Sequence, residues 1–278
     1  MAAYLIWGTF PLYFSMLSAI PPLEVLAHRI AGITVFASAV LAFAGGLGGT
    51  AEFTASWRRV RPLLASSLAI AINWGLFIWA VTHGRALEAS LGYFMFPLVS
   101  LVLARLVLGE RLSRRRLAAA GVVTLGVLWL VFAAGAVPWV ALTLAISFGA
   151  YGLLRKMAPV PPLAGLLIEA AVLLPAALLY LAVQGGGVGF TSGGGTSALL
   201  LLVGPATAIP LWLFAFGARR LSLSTLGLMM YVNPAVQMMV AVFVLREPFT
   251  AVHAVAFGII WCGLALYSWP ERHPIALS

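Results

Sequence analysis

The chain has no aspartate, and its carboxylates are seven glutamates: Glu24, Glu52, Glu88, Glu110, Glu169, Glu247 and Glu271. Without Asp there is no aspartyl nucleophile, no Walker B carboxylate and no Asp-rich metal or calcium loop. The single cysteine, Cys262, excludes an intrachain disulfide and any thiolate zinc site. The four histidines (His28, His83, His253, His273) are scattered, with no HExxH pair. The sequence therefore calls for no metal and no cofactor. Charge is scarce as well: Asp, Glu, Lys and Arg make up 8% of 278 residues, against roughly 25% in an average soluble domain. Hydrophobic residues reach 63% and the mean hydropathy is +1.08. A soluble chain of this length needs far more polar surface, so the composition is that of an integral membrane protein.

A helix needs about 20 mostly apolar residues to cross a bilayer core. Ten segments meet that need: 2–19, 23–44, 61–83, 86–108, 115–134, 138–156, 162–184, 197–217, 222–245 and 250–269. The first lacks a basic n-region and runs straight into another span, unlike a cleavable signal. With the N-terminus inside, the inner loops and tail hold 12 of the 16 basic residues: Arg58, Arg59, Arg61, Arg111, Arg114, Arg115, Arg116, Arg155, Lys156, Arg219, Arg220 and Arg272. The positive-inside rule then predicts a multi-pass membrane protein with both termini cytoplasmic. The +9 charge belongs to these loops and points to no nucleic-acid partner. The glycine-rich stretch 185–195 lacks a following GK[ST] and reads as a flexible outer linker rather than a phosphate loop.

The chain also repeats itself. Pro97 precedes Glu110 by 13 residues, and Pro234 precedes Glu247 by 13. The same offset carries Gly121 onto Gly258 and Gly126 onto Gly263, and Trp7-Gly8 and Phe148-Gly149 open the two halves alike. Five helices per repeat is an odd number, so the second half inserts upside down relative to the first. The expected architecture is all-α, with ten transmembrane helices as two inverted five-helix repeats, 1–134 and 135–278. Such repeats characterise alternating-access transporters, with substrate near the midplane.

AYLIWGTFPLYFSML, PPLEVLAHRI, NWGLFIWAVTHGRALEASLGYF with its following proline and LGERL, ISFGAYGLLRK, and RRLSLSTLGLMMYVNP followed by REPFT occur in that order. These blocks, spanning essentially the whole chain, resemble the EamA-type drug/metabolite transporters and within them the RarD group. The resemblance implies a ten-helix, two-repeat inner-membrane permease, linked to chloramphenicol sensitivity. Met95-Phe96 departs from the pattern where an Asn before the proline is usual, whereas Asn233-Pro234 keeps it.

Polar groups inside a membrane are costly and mark candidate sites. Asn73 lies mid-segment, where either a substrate or a neighbouring helix must partner its amide. Tyr93, Tyr151, Asn233 and Gln237 lie at similar depth, and Trp7, Trp74, Trp79 and Trp212 offer aromatic walls. A midplane cavity lined by the first, third, fourth, sixth, eighth and ninth segments is expected, suited to a flat or weakly cationic solute. No basic residue is expected deep enough to favour strongly anionic ones. His28 and Arg29, beside Glu24 on the outer turn of the second segment, together with His83 and Glu88, are candidates for an outer gate or proton relay. Glu169 is the deepest carboxylate and the leading proton-coupling candidate. Glu110 and Glu247 are expected to cap or pair locally with Arg111 and Arg246.

These features favour a secondary active transporter, exporting a small organic solute, with protons as candidate co-substrate and the lipid bilayer as its medium. The alternative is an intramembrane enzyme or lipid-handling flippase. No nucleotide motif supports direct use of ATP.

Overall fold

The computed structural model describes residues 1–44, 57–109, 113–158, 160–189, 192–218 and 229–269, and among them it is all helix with no strand. The helices are α1 (Ala2–Gly8), α2 (Phe10–Ser15), α3 (Pro22–Phe43), α4 (Trp57–Thr82), α5 (Ala86–Leu108), α6 (Arg114–Ala134), α7 (Trp139–Met157), α8 (Pro162–Val183), α9 (Gly194–Ala218), α10 (Val232–Met239) and α11 (Ala251–Ser268). Eight of these are long and apolar enough to cross a membrane: α3 to α9 and α11.

The other two expected spans are interrupted. The first is divided at Thr9 into α1 and α2. Pro11 has no N–H to give the Trp7 carbonyl four residues back, which weakens the helix at this point, although α5, α8 and α9 carry Pro97, Pro175, Pro205 and Pro210 without a break. The ninth is described from Met229 and contains α10, which passes into a π-helical turn over Val240–Val244. Irregular backbone at membrane depth is tolerated only where protein or a cavity covers it. Both interrupted elements are packed on one side against other helices: α1 on α9 and α10, and α10 on α5.

Small residues set the closest approaches, as bilayer helices require. A Cβ on Gly126 of α6 would lie 2.9 Å from Ile260 and 3.2 Å from the Ala256 carbonyl of α11. A Cβ on Gly263 of α11 would lie 2.7 Å from Val123 and 3.1 Å from the Ala119 carbonyl of α6. The contact is reciprocal. Gly8 of α1 likewise meets Val236, two residues after Pro234, and Gly149 of α7 meets Val99, two residues after Pro97. Gly32 of α3 and Gly204 of α9 meet backbone to backbone, where a Cβ on Gly32 would be 3.0 Å from Gly204 Cα.

The exterior is apolar: Val35 is 71% exposed, Phe132 80% and Val183 76%. Glu24, Arg29, Ser66, Asn73, Ser90, Glu169, Thr207 and Gln237 are buried. A soluble fold distributes these residues the opposite way. The chain is a multi-pass membrane protein.

Candidate functional site

The helices enclose a cavity of about 650 Å³, within the size range of small-molecule sites. Trp7, Asn73, Trp74, Tyr93, Tyr151, Asn233 and Gln237 all lie on its wall. Residues of α1, α4, α5, α7, α9 and α10 line it, joined by Phe10 of α2, Arg29 of α3 and Leu163 and Leu166 of α8. The Trp212 side chain lies outside the described residues. Aromatic rings make up much of the wall: Tyr93 packs edge-on against Phe77 and Phe148 at 5.6 and 5.7 Å, and Tyr151 stacks on Phe148 at 5.9 Å.

Asn73 is already partnered. Its Nδ2 donates to the Leu144 carbonyl and to Ser147 Oγ, each at 3.1 Å, and Tyr93 donates to its Oδ1 at 2.9 Å. The amide thus ties α4, α5 and α7 together, the neighbouring-helix partnership rather than the substrate one. Ser90 similarly joins α5 to α10 by donating to the Pro234 carbonyl at 2.9 Å. Gln237 is only half satisfied. Its Nε2 donates to Asn233 Oδ1 at 3.0 Å and reaches the Trp7 carbonyl at 3.5 Å, while its buried Oε1 has no partner among the described residues. That open acceptor sits beside the carbonyl which Pro11 deprives of its helical donor.

Arg29 overturns the expectation that no basic residue lies deep. It sits two turns into α3, is 3% exposed, and lines the cavity. The start of α3 explains the depth: Pro21 and Pro22 open the helix, and seven residues at 1.5 Å per residue carry Arg29 about 10 Å inward. Its guanidinium carbon lies 4.3 Å from the Trp74 ring centre, with Phe10 at 5.7 Å and Phe14 at 5.6 Å. Nε and Nη1 are buried and find no hydrogen-bond partner among the described residues. Stacking on an aromatic ring is worth roughly 0.5–2 kcal/mol, whereas burying an unpaired ion costs several kcal/mol. The rings attract the guanidinium but do not compensate its charge.

Glu169 lies at the corresponding place on α8 and is fully occupied. Ser66 donates to its Oε1 at 2.6 Å, Tyr151 to its Oε2 at 3.2 Å, and Arg155 Nε stands 3.7 Å from Oε1. Both Tyr151 and Arg155 line the cavity, while no carboxylate does among the described residues. The signal that could have found this pair was in the sequence. Pro-Pro-Leu opens both helices, at 21–23 and 161–163, and places Arg29 and Glu169 each seven residues after the second proline.

The other candidates gather at the opposite end from Arg155. Glu24 accepts from the Val188 and Gly189 N–H groups at 3.2 and 2.7 Å and stands 4.0 Å from His28 Nε2. The glycine-rich linker is therefore pinned to α3, its turn made possible by positive φ at Gly185, Gly186 and Gly187. Trp79 is not in the cavity. Five residues after Trp74, it points about 140° away around α4 and stacks on His83 at 4.7 Å and near Trp139 at 5.3 Å. Glu88 pairs with Arg85 at 2.7 Å and accepts from the Val140 N–H at 3.0 Å. These groups lock α4, α5 and α7 at their ends. Glu247 does not pair locally: its two oxygens accept from the Ala86 and Leu87 N–H groups at 2.7 and 2.8 Å, capping α5 from 160 residues away. Arg246, in the left-handed region at φ 58°, makes the turn that aims it. Glu110 and Arg111 lie outside the described residues.

Residues 1–132 match the model of the EamA-like transporter family. An uncharacterized transporter of Bacillus subtilis, YojE, is 40% identical, covering 97% of this chain and 92% of its own. Protein RarD of Escherichia coli is 38% identical over 96% of this chain and 91% of its own. The chloramphenicol-sensitive protein RarD of Pseudomonas aeruginosa is 30% identical over 97% and 92%. A solved crystal structure, 19% identical, superposes with a TM-score of 0.63 over 95% of this chain and 94% of that one, a likeness of fold alone.

Proposed function

The chain belongs to the EamA-like transporter family, grouped with the RarD proteins, and from that premise we propose that it is a secondary active transporter. It exports a small organic solute across the bacterial inner membrane by alternating access. In this reading ten spans form two inverted repeats, 1–134 and 135–278, with both termini cytoplasmic. The divided α1–α2 pair supplies the first span and α10 with its π-turn belongs to the ninth.

The observation that carries the reading is the cavity between the two halves, walled by matching elements of each. The reciprocal contacts support the repeat: Gly126 on α11 mirrors Gly263 on α6, and Gly8 near Val236 mirrors Gly149 near Val99. Exchanging each span with its counterpart five spans on also maps the main helix pairings onto one another. The α5–α7 pairing goes onto α10–α1, α4–α7 onto α9–α1, and α6–α11 onto itself. Interrupted helices at the site fit the same architecture. Trp7, Trp74, Tyr93 and Tyr151 form the solute's walls, with Asn233 and Gln237 as polar contacts. Glu169, between Ser66, Tyr151 and Arg155, is the proton carrier, and His28 with Glu24 serves the outer gate.

Purified protein in proteoliposomes, offered a cell extract with and without a pH gradient, tests this. Solute flux above protein-free vesicles that grows with the gradient is expected. No flux for any solute sinks transport, and flux indifferent to the gradient sinks proton coupling. Reporters fused after Ser278 and at Arg114 should be active only as cytoplasmic reporters, and periplasmic activity at either overturns the threading.

A further inference from the structure

We infer that the cavity recognises an organic anion, a carboxylate seated on the Arg29 guanidinium and joined to a flat apolar body that lies among the aromatic walls. The inference deepens the transporter reading and rests on it for treating the ligand as cargo.

Four observations converge on Arg29. It is 3% exposed and yet on the wall of the 650 Å³ cavity, so anything that enters meets it in a medium that screens charge poorly. Its Nε and Nη1 find no hydrogen-bond partner among the described residues. Both carboxylates that could have neutralised it are spent elsewhere: Glu24 on the Val188 and Gly189 N–H groups, Glu169 on Ser66, Tyr151 and Arg155. No carboxylate lines the cavity among the described residues.

Geometry selects the kind of anion. The Trp74 ring at 4.3 Å, with Phe10 and Phe14 nearby, stands against the guanidinium carbon. The rings offer it no hydrogen-bond acceptor, and a guanidinium's fork of parallel N–H donors matches a carboxylate. The remaining wall is mostly apolar and aromatic, which disfavours a small, strongly hydrated ion and suits a ring-bearing body. Gln237 Oε1, which is also buried on the wall without a partner among the described residues, would accept an N–H or O–H of the same molecule. Arg155, whose Nη1 also lacks a partner among the described residues, has Glu169 3.7 Å from its Nε, so its charge is compensated where that of Arg29 is not.

Calorimetric titration of the purified protein with a series of aryl carboxylates, each beside its neutral amide (phenylacetate and phenylacetamide as the first pair), tests the inference. A charge-assisted fork predicts that carboxylates bind about ten- to hundred-fold tighter than their amides. Arg29→Lys should keep the preference at reduced strength, and Arg29→Met should lose it. Equal binding of carboxylate and amide by the unaltered protein overturns the inference, and that comparison needs no variant to fold. So does a preference that survives in Arg29→Met, or one lost in Arg155→Met but kept in Arg29→Met. Arg29-dependent carboxylate binding without flux in proteoliposomes upholds the anion site and sinks the transport reading. Flux of neutral solutes with no carboxylate preference does the reverse.

Discussion

α3 and α8 begin alike and end up with opposite charges in the same place. Each opens on Pro-Pro-Leu and carries a buried ionisable residue seven positions after the second proline, Arg29 on one and Glu169 on the other. Glu169 has two hydroxyl donors and a guanidinium around it, whereas Arg29 has aromatic rings beside it and Nε and Nη1 without partners among the described residues. Depth alone therefore does not say what a membrane charge is for. A charge satisfied within the fold needs no ligand to compensate it, and an unsatisfied one is held ready for something that arrives.

That contrast is sharpest in stability. Glu169→Ala strips the partly exposed Arg155 of its carboxylate and Ser66 and Tyr151 of their acceptor. Removing one partner of a buried pair costs roughly 3–5 kcal/mol, and the exposure of Arg155 puts this case at or below the lower end. Arg29→Met removes an uncompensated charge and keeps the apolar stem, so the protein should be as stable or more stable. Melting of the detergent-purified variants separates the two. If Arg29→Met falls as far as Glu169→Ala, Arg29 is as well partnered as Glu169 and the comparison breaks.

A second pair repeats the contrast among neutral groups. Asn73→Ala strips the Tyr93 hydroxyl of its acceptor and unties α4, α5 and α7, at about 1–3 kcal/mol for each polar group left unpaired. Gln237→Leu gives up one good bond and removes an acceptor that had no partner, so its loss of stability should be clearly smaller. Equal losses would mean that Gln237 is a clamp like Asn73. Between these lies Glu24→Ala, which frees the 185–189 turn from two charge-assisted bonds worth about 1.5–3 kcal/mol each. Faster proteolysis within that turn, with the rest of the chain intact, is the expected result.

Much of this was legible in the sequence. The segment 86–108 coincides with α5, and 115–134 and 162–184 differ by one residue from α6 and α8, because long apolar runs bounded by Pro, Gly and Arg leave little choice of ends. The wall residues Trp7, Asn73, Trp74, Tyr93, Tyr151, Asn233 and Gln237 were legible as polar or amphipathic groups at mid-span. Pro11 alone does not mark the break at Thr9, because α5, α8 and α9 run through prolines of their own. Trp79 differs from Trp74 in helical phase, which depth along a span does not carry. Arg29, seven residues past Pro22, lies two turns in and so below the outer turn of its segment. What no sequence pattern contains is partnership. Whether Glu24 pairs with a neighbour or with a loop 164 residues away is decided by packing.

The smallest expected effect concerns Glu247, which lies beyond the apolar helix of the ninth segment and tests the capping role outside the membrane-spanning part. Burial raises its carboxyl above the usual carboxylate range, the Ala86 and Leu87 N–H groups pull it back down, and Glu88 nearby raises it. The net direction is upward. A carboxyl raised in the folded state holds more protons there than in the unfolded chain, so stability falls as pH rises from the ordinary Glu value through the folded one. Glu247→Gln should flatten that part of the pH–stability curve, while losing the charge–dipole share of the cap, about 0.3–1 kcal/mol. The capping geometry itself survives in the amide only through one carbonyl oxygen, so one of the two N–H groups of α5 is left to water. If the wild-type and Glu247→Gln melting curves have the same pH slope above pH 4.5, the carboxyl is not held above its ordinary value, and solvent rather than burial governs this end of α5.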